Sequence, residues 1–203
     1  FTLSLFHNND GESQILPEDD GSGGIARFAT LLDDLRDEAA ATKPRGRQAV
    51  LTLSSGDNFL AGPEFTASLS DGIFYDAMAL DAIGYDAIDL GNHDFDFGPD
   101  ILAQFISEGF SNPGTPPYLS ANLDFSREAA LQALVDSDVI AASTIVRERG
   151  ERIGIVGATT ENLPFISSPR DVVVNAVLPA VQAEVAELQD QGVEIIILIS
   201  HLQ

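Results

Sequence analysis

The chain has 203 residues, 44% of them hydrophobic, with 32 acidic and 10 basic side chains and a net charge of -22. That is enough apolar material for one large domain, and the acidic balance argues against a nucleic-acid surface and against electrostatic docking to anionic lipid. There is no cysteine, which removes disulfides, thiolate metal sites and thiol nucleophiles, and no run reaches the roughly 18–20 apolar residues of a membrane span.

Residues 2–6 alternate polar and apolar and predict a strand; the chain begins inside it, as a mature or trimmed product would. Residues 8–24 are irregular, acidic and rich in Gly, Asp and Pro. Ile25, Phe28, Leu31, Leu32 and Leu35 recur at helical spacing within residues 25–40. A second strand at 49–53 ends in Ser54-Ser55-Gly56-Asp57-Asn58. Residues 73–83 read as a helix closed by Gly84. The third strand, 87–90, runs into Gly91-Asn92-His93-Asp94-Phe95-Asp96, and Gly98-Pro99 opens a helix that includes 101–106. Residues 118–123 read as a strand ending near Asn122. Residues 139–147 and 152–157 read as a hairpin around Arg149-Gly150-Glu151. A helix over 177–189 and a strongly apolar strand over 193–200, ending in Ser200-His201, complete the pattern. Alternating strands and helices predict an α/β protein with buried parallel strands.

Polar groups follow the strands. Asp10 and Glu12 come after the first, Asp57 after the second, Asn92 and His93 after the third and His201 after the last. Parallel strands bring their C-terminal ends to one edge of a sheet, where ligands and catalytic groups collect. An Asn oxygen can ligate a hard metal, an imidazole can donate a proton, and Asp96 can orient that imidazole. Carboxylates, an amide oxygen and imidazoles suit Mn, Zn, Fe or Mg. A pair of metals needs a bridging carboxylate, and Asp57 is the candidate. His7 reads as a structural histidine and Asp19-Asp20 as solvated. The stretch from Asp94 to Gly98 hints at a calcium loop but lacks that pattern's sixth-position Gly and distal Glu.

Four blocks, Phe6-His7-Asn8-Asn9-Asp10-Gly11-Glu12, Ser55 to Gly62, Gly91 to Gly98 and Ile199-Ser200-His201, resemble the calcineurin-like metallophosphoesterases, most closely their secreted 5′-nucleotidase branch. The resemblance covers the chain end to end, with weaker similarity at Ser120-Ala121-Asn122-Leu123 and Gly157-Ala158-Thr159-Thr160. It implies a four-layer αββα sandwich of two mixed sheets, incomplete at the C-terminus, with residues 1–203 as a catalytic domain lacking its last part. It implies two divalent ions, drawn from Mn, Zn, Mg, Fe or Ca. Asp10 and Glu12 would serve the first ion, Asp57 both, and Asn92 and His201 the second. His93 is implied as the catalytic histidine, Asp96 as the acid that orients it, and Asn122 as a substrate-binding residue. The nucleophile would be a hydroxide held by the ions, acting on a nucleotide or another phosphomonoester outside the cytoplasm, in a secreted or periplasmic protein.

Two departures stand beside the resemblance. The family's Asp-any-His is Asp10-Gly11-Glu12 here, and the family's later Gly-His-any-His block and C-terminal substrate domain lie beyond Gln203. The expected partner is therefore the C-terminal remainder of the same protein. A broad alkaline phosphatase, a cyclic-nucleotide phosphodiesterase and a non-catalytic metal- or phosphate-binding module remain as alternative readings.

Overall fold

The computed structural model describes residues 1–41, 47–110 and 116–202; Lys43 and Gln203 lie outside them. The strands are β1 (Thr2–Asn8), β2 (Gln48–Ser54), β3 (Ala87–Asp89), β4 (Tyr118–Leu119), β5 (Leu123–Asp124), β6 (Ile140–Ala141), β7 (Ser143–Glu148), β8 (Glu151–Thr159), β9 (Val173–Val174) and β10 (Ile195–His201). The helices are α1 (Ile25–Ala41), α2 (Pro63–Asp71), α3 (Tyr75–Ile83), α4 (Pro99–Glu108), α5 (Ala129–Asp136), α6 (Leu163–Ile166) and α7 (Val177–Asp190).

Two sheets stack face to face. The first has the order β1-β2-β3-β4-β6 and the second β10-β8-β7, while β5 and β9 form a small antiparallel pair. Leu51, Leu53, Ala87 and Leu119 of the first sheet meet Ile153, Ile155 and Ile199 of the second. Each such aliphatic side chain contributes about 1.5–3 kcal/mol by leaving water. The other face of the first sheet packs Ile88, Leu90 and Tyr118 against Leu32, Ala77, Leu102 and Leu131 from α1, α3, α4 and α5. The outer face of the second sheet presents Val156 to Leu188 of α7 and to Val193. The layers are thus helices, sheet, sheet and helix.

Several sequence expectations change in detail. Every pairing in the first sheet is parallel, and only the second sheet is mixed. The helix expected over 73–83 starts at Tyr75, and a separate helix, α2, precedes it; Gly72, at φ 65°, stops α2 in a left-handed cap. The strand expected over 118–123 breaks into β4 and β5. The first arm expected over 139–147 also divides: β6 pairs with the first sheet, and β7 forms the hairpin with β8 in the second. The last strand runs from Ile195 to His201, leaving Val193 to pack beneath α7.

Candidate metal centre

Parallel pairing carries the ends of β1, β2 and β3 to one edge, and β10, running parallel to β8, adds its own end there. The first two loops are knitted together. Ser55 N–H donates to Asn8 O at 2.9 Å, Asp10 N–H to Gly56 O at 3.1 Å and Glu12 N–H to Asp57 O at 2.9 Å. Asp10 and Asp57 both have φ 52°, in the left-handed region that costs a non-glycine residue about 1–2 kcal/mol. That strain is held in place from behind: Phe59, two residues past Asp57, is fully buried and stacks on Phe65 with ring centroids 4.3 Å apart.

Two glycines let the second and third loops touch. A Cβ on Gly56 would lie 2.5 Å from Gly91 N, and one on Gly91 would lie 2.1 Å from Asp57 Oδ1. Through this contact Asp57 Oδ1 accepts the backbone N–H of His93 at 2.7 Å. Its other oxygen, Oδ2, lies 3.0 Å from His201 Nε2. His201 Nδ1 donates to Ser55 O at 2.8 Å, which leaves Nε2 as the nitrogen turned towards the site, its proton to be displaced when a cation binds. Asp10 Oδ1 stands 4.0 Å from the same Nε2. Burial alone would lower the His201 pKa, but Asp57 and Asp10 outweigh it and raise it to about 9.

Asp10, Asp57 and His201 offer ligand atoms that all lie within 4.8 Å of one another. Asp57 Oδ2 and His201 Nε2 are buried and face each other as an ion pair at 3.0 Å with no further hydrogen-bond partner among the described residues, and Asn92 Oδ1 is buried with none. Native interiors rarely leave such atoms unsatisfied. A carboxylate oxygen, an imidazole nitrogen and an amide oxygen form a donor set that fits a divalent ion. Glu12 is half-buried and outside this cluster, although its charge still reaches His93. His7, expected as a structural histidine, is exposed on β1 and outside the cluster; Asp19 and Asp20 are exposed as expected.

His93 stands beside this group, part-buried. Its Nδ1 donates to Asp96 Oδ2 at 2.8 Å, which leaves Nε2 available. Burial lowers its pKa, but the Asp96 hydrogen bond and the charges of Asp57, Asp96 and Glu12 win and raise it. Asp96 Oδ1 accepts a second hydrogen bond, from Ser167 Oγ at 3.0 Å.

Asn122 belongs elsewhere. It is fully buried; its Nδ2 donates to Thr159 O at 2.8 Å and Asn175 O at 3.3 Å, while its Oδ1 accepts Thr159 N–H at 2.9 Å. Its amide engaged on both sides, Asn122 ties the turn between β4 and β5 to the end of β8.

Asp94, Asp89 and Ser167 were not singled out as site residues by the sequence. Asp94 is almost wholly buried and its Oδ2 accepts Gly91 N–H at 2.7 Å, closing the third loop on itself. Burial, then the charge of Asp57, pushes its pKa up to about 7. Asp89 of β3 is fully buried between the sheets, and burial raises its carboxyl well above the ordinary range. The one signal for Asp94 was its place three residues after a glycine in a tight turn. Asp89 and Ser167 carried none.

No family model matches the chain. It is 31% identical over 218 residues to the 5′-nucleotidase of Diplobatis ommata, covering 99% of this chain and 33% of that protein. The crystal structure of a 5′-nucleotidase precursor from Thermus thermophilus superposes with a TM-score of 0.78 at 31% identity, over 98% of this chain and 36% of that one. A calcineurin-like phosphoesterase, YfkN from Bacillus subtilis, shares the fold at a TM-score of 0.73 and 19% identity, over 98% and 61% of the two chains. The chain thus spans about a third of the length of the curated relatives it matches. Over that span it is similar to the 5′-nucleotidases and shares the fold of the calcineurin-like phosphoesterase.

Proposed function

We propose that this chain is the metal-binding catalytic part of a 5′-nucleotidase-like phosphomonoesterase. One observation carries the reading: Asp57 Oδ2 and His201 Nε2 are buried and face each other at 3.0 Å with Asp10 adjoining, and Asn92 Oδ1 is buried with no hydrogen-bond partner among the described residues, beside the His93–Asp96 pair. Asp57, Asp10 and His201 would hold a divalent ion, and Asn92 would add its oxygen to a second; Glu12 would contribute charge at the rim. When bound, the ions polarise the phosphoryl oxygens and lower the pKa of water.

The protein's own groups do the rest. Asp57 Oδ1, fixed by the His93 N–H, keeps Oδ2 turned to His201. Ser55 O holds the Nδ1–H of His201, so that Nε2 is the nitrogen that would ligate once a cation displaces its proton. Asp96 holds the Nδ1 proton of His93, so that Nε2 carries the proton given to the departing alkoxide. The raised pKa of His93 keeps that proton available near neutral pH. The net charge of -22 repels a phosphate ester, and bound cations reverse the sign locally.

Nucleotides are the proposed substrates, because the relatives with this fold and about 30% identity are 5′-nucleotidases. The remaining metal ligands and the wall that grips the nucleoside come from the part of the relatives that this chain does not span, as the C-terminal remainder of the same protein. A secreted or periplasmic location fits the word precursor in the name of the Thermus thermophilus neighbour. Among the described residues no helix is long and apolar enough to cross a membrane.

The test is phosphate release from a nucleoside monophosphate by the protein expressed at the length of its relatives. Activity should vanish on exhaustive chelation and return with Mn²⁺. Full turnover with no bound metal would overturn the reading.

A further inference from the structure

We infer that the Ser167 hydroxyl is a positioning group for His93, an inference that rests on the catalytic reading of His93 given above. Asp96 is held at both oxygens: Oδ2 accepts His93 Nδ1–H at 2.8 Å and Oδ1 accepts Ser167 Oγ–H at 3.0 Å. A carboxylate held at one oxygen rotates within a broad torsional well. Held at both, its plane is fixed, and the imidazole that leans on it keeps one direction for Nε2.

The segment that carries Ser167 is pinned on both sides. Leu163 is fully buried, and Ser167 N–H donates to its carbonyl at 3.1 Å. Beyond Ser167, Pro169 is buried. Arg170 bonds Asp100 Oδ2 at 2.6 Å and lies over Gly98, where a Cβ would meet its guanidinium at 2.9 Å. Asp171 N–H donates to Glu128 Oε1 at 2.9 Å. Gly98 and Asp100 belong to the start of α4, immediately after the loop that bears His93 and Asp96. The stretch between β8 and β9 is therefore docked on that loop and presents a hydroxyl to its carboxylate. Ser167 has φ −150° and ψ −163°, extended backbone that a β-branched residue also adopts, so threonine can keep the hydroxyl in place.

The experiment measures kcat and KM in the active protein for Ser167→Ala and Ser167→Thr, each alone and with Asp96→Ala, beside His93→Asn. Ser167→Ala should lower kcat about 5- to 20-fold with KM within about twofold, and Ser167→Thr should retain kcat within about twofold. With Asp96→Ala already present, Ser167→Ala should change kcat no further, because the hydroxyl acts only through that carboxylate. If His93→Asn abolishes turnover while Ser167→Ala leaves kcat unchanged, the inference falls and the catalytic reading stands. An equal extra loss from Ser167→Ala with Asp96→Ala present would also overturn it, since the serine would then act by shaping the segment. Normal turnover in His93→Asn would overturn the catalytic reading itself.

Discussion

Gly91→Ala should damage this site more than its size suggests. The added Cβ would stand 2.1 Å from Asp57 Oδ1, 2.5 Å from Asp57 N and 2.8 Å from Asp57 Cγ. Gly91 has little room to retreat, because its backbone runs so close to Gly56 that a Cβ there would stand 2.5 Å from its nitrogen. Asp57 must move, and with it goes the His93 N–H bond to Oδ1. Overpacking a tight interior costs about 1–3 kcal/mol, and losing a hydrogen bond to a charged group costs about 1.5–3 kcal/mol. The sum is about 2.5–6 kcal/mol, a large share of the roughly 5–15 kcal/mol that holds a domain folded. Gly11→Ala is the matched control. It lies next to Asp10, yet its Cβ would meet nothing nearer than Asn58 O at 3.4 Å, an ordinary contact, so it should cost under about 1 kcal/mol. Urea denaturation without metal gives the stabilities, and calorimetric titration with Mn²⁺ gives the ligand geometry's contribution. Equal stability and equal Mn²⁺ affinity in the two variants would refute the steric argument.

Asn122→Ala removes both partners of the Thr159 backbone inside the protein and should cost about 2–4 kcal/mol at one or two unsatisfied groups; a loss under about 1 kcal/mol by denaturation would contradict its structural role. Glu12→Gln, outside the ligand cluster, should weaken Mn²⁺ by no more than about tenfold, as an outer group does, while Asp57→Asn abolishes binding; comparable losses in the two variants would make Glu12 a ligand. Asp76, 4% exposed, has its pKa raised from 3.8 to about 6, first by burial, against a hydrogen bond from Ser13. Its folded pKa lies above its unfolded one, so stability is full below pH 3.8 and falls by about 2–3 kcal/mol as pH rises to 6. Asp76→Asn should remove that fall, and denaturation curves of both proteins from about pH 4 to 7 that run parallel would disprove it.

The strand ends were legible because polar clusters interrupt apolar runs, and parallel order then implies convergence of Asp10, Asp57, Asn92 and His201. The pairing of His93 with Asp96 was legible because a three-residue spacing lets two side chains meet within one turn. The hydrogen bonds of Asn122 to Thr159 were not legible, because nothing local shows that a residue thirty-seven positions away meets its amide. The helix α2 was missed because Pro63 to Asp71 carries only a short apolar face, around Phe65 and Ser68, and its left-handed stop at Gly72 lies just before the residues credited to the next helix. Asp89 and Asp94 were invisible as buried acids, since an aspartate near a turn ordinarily faces water. Ser167 meets Asp96 across 71 residues of chain, and only the packing of the segment between β8 and β9 on α4 brings them together.

The central claim is that Asp57 and His201 share one ion at the joined strand ends. Anomalous diffraction at the zinc edge, from crystals of the protein soaked in Zn²⁺, tests it most directly. The account predicts a peak with Asp57 Oδ2 and His201 Nε2 at about 2.0–2.2 Å and Asp10 adjoining. Zinc bound elsewhere, with Asp57 and His201 still facing each other and no density between them, would contradict it.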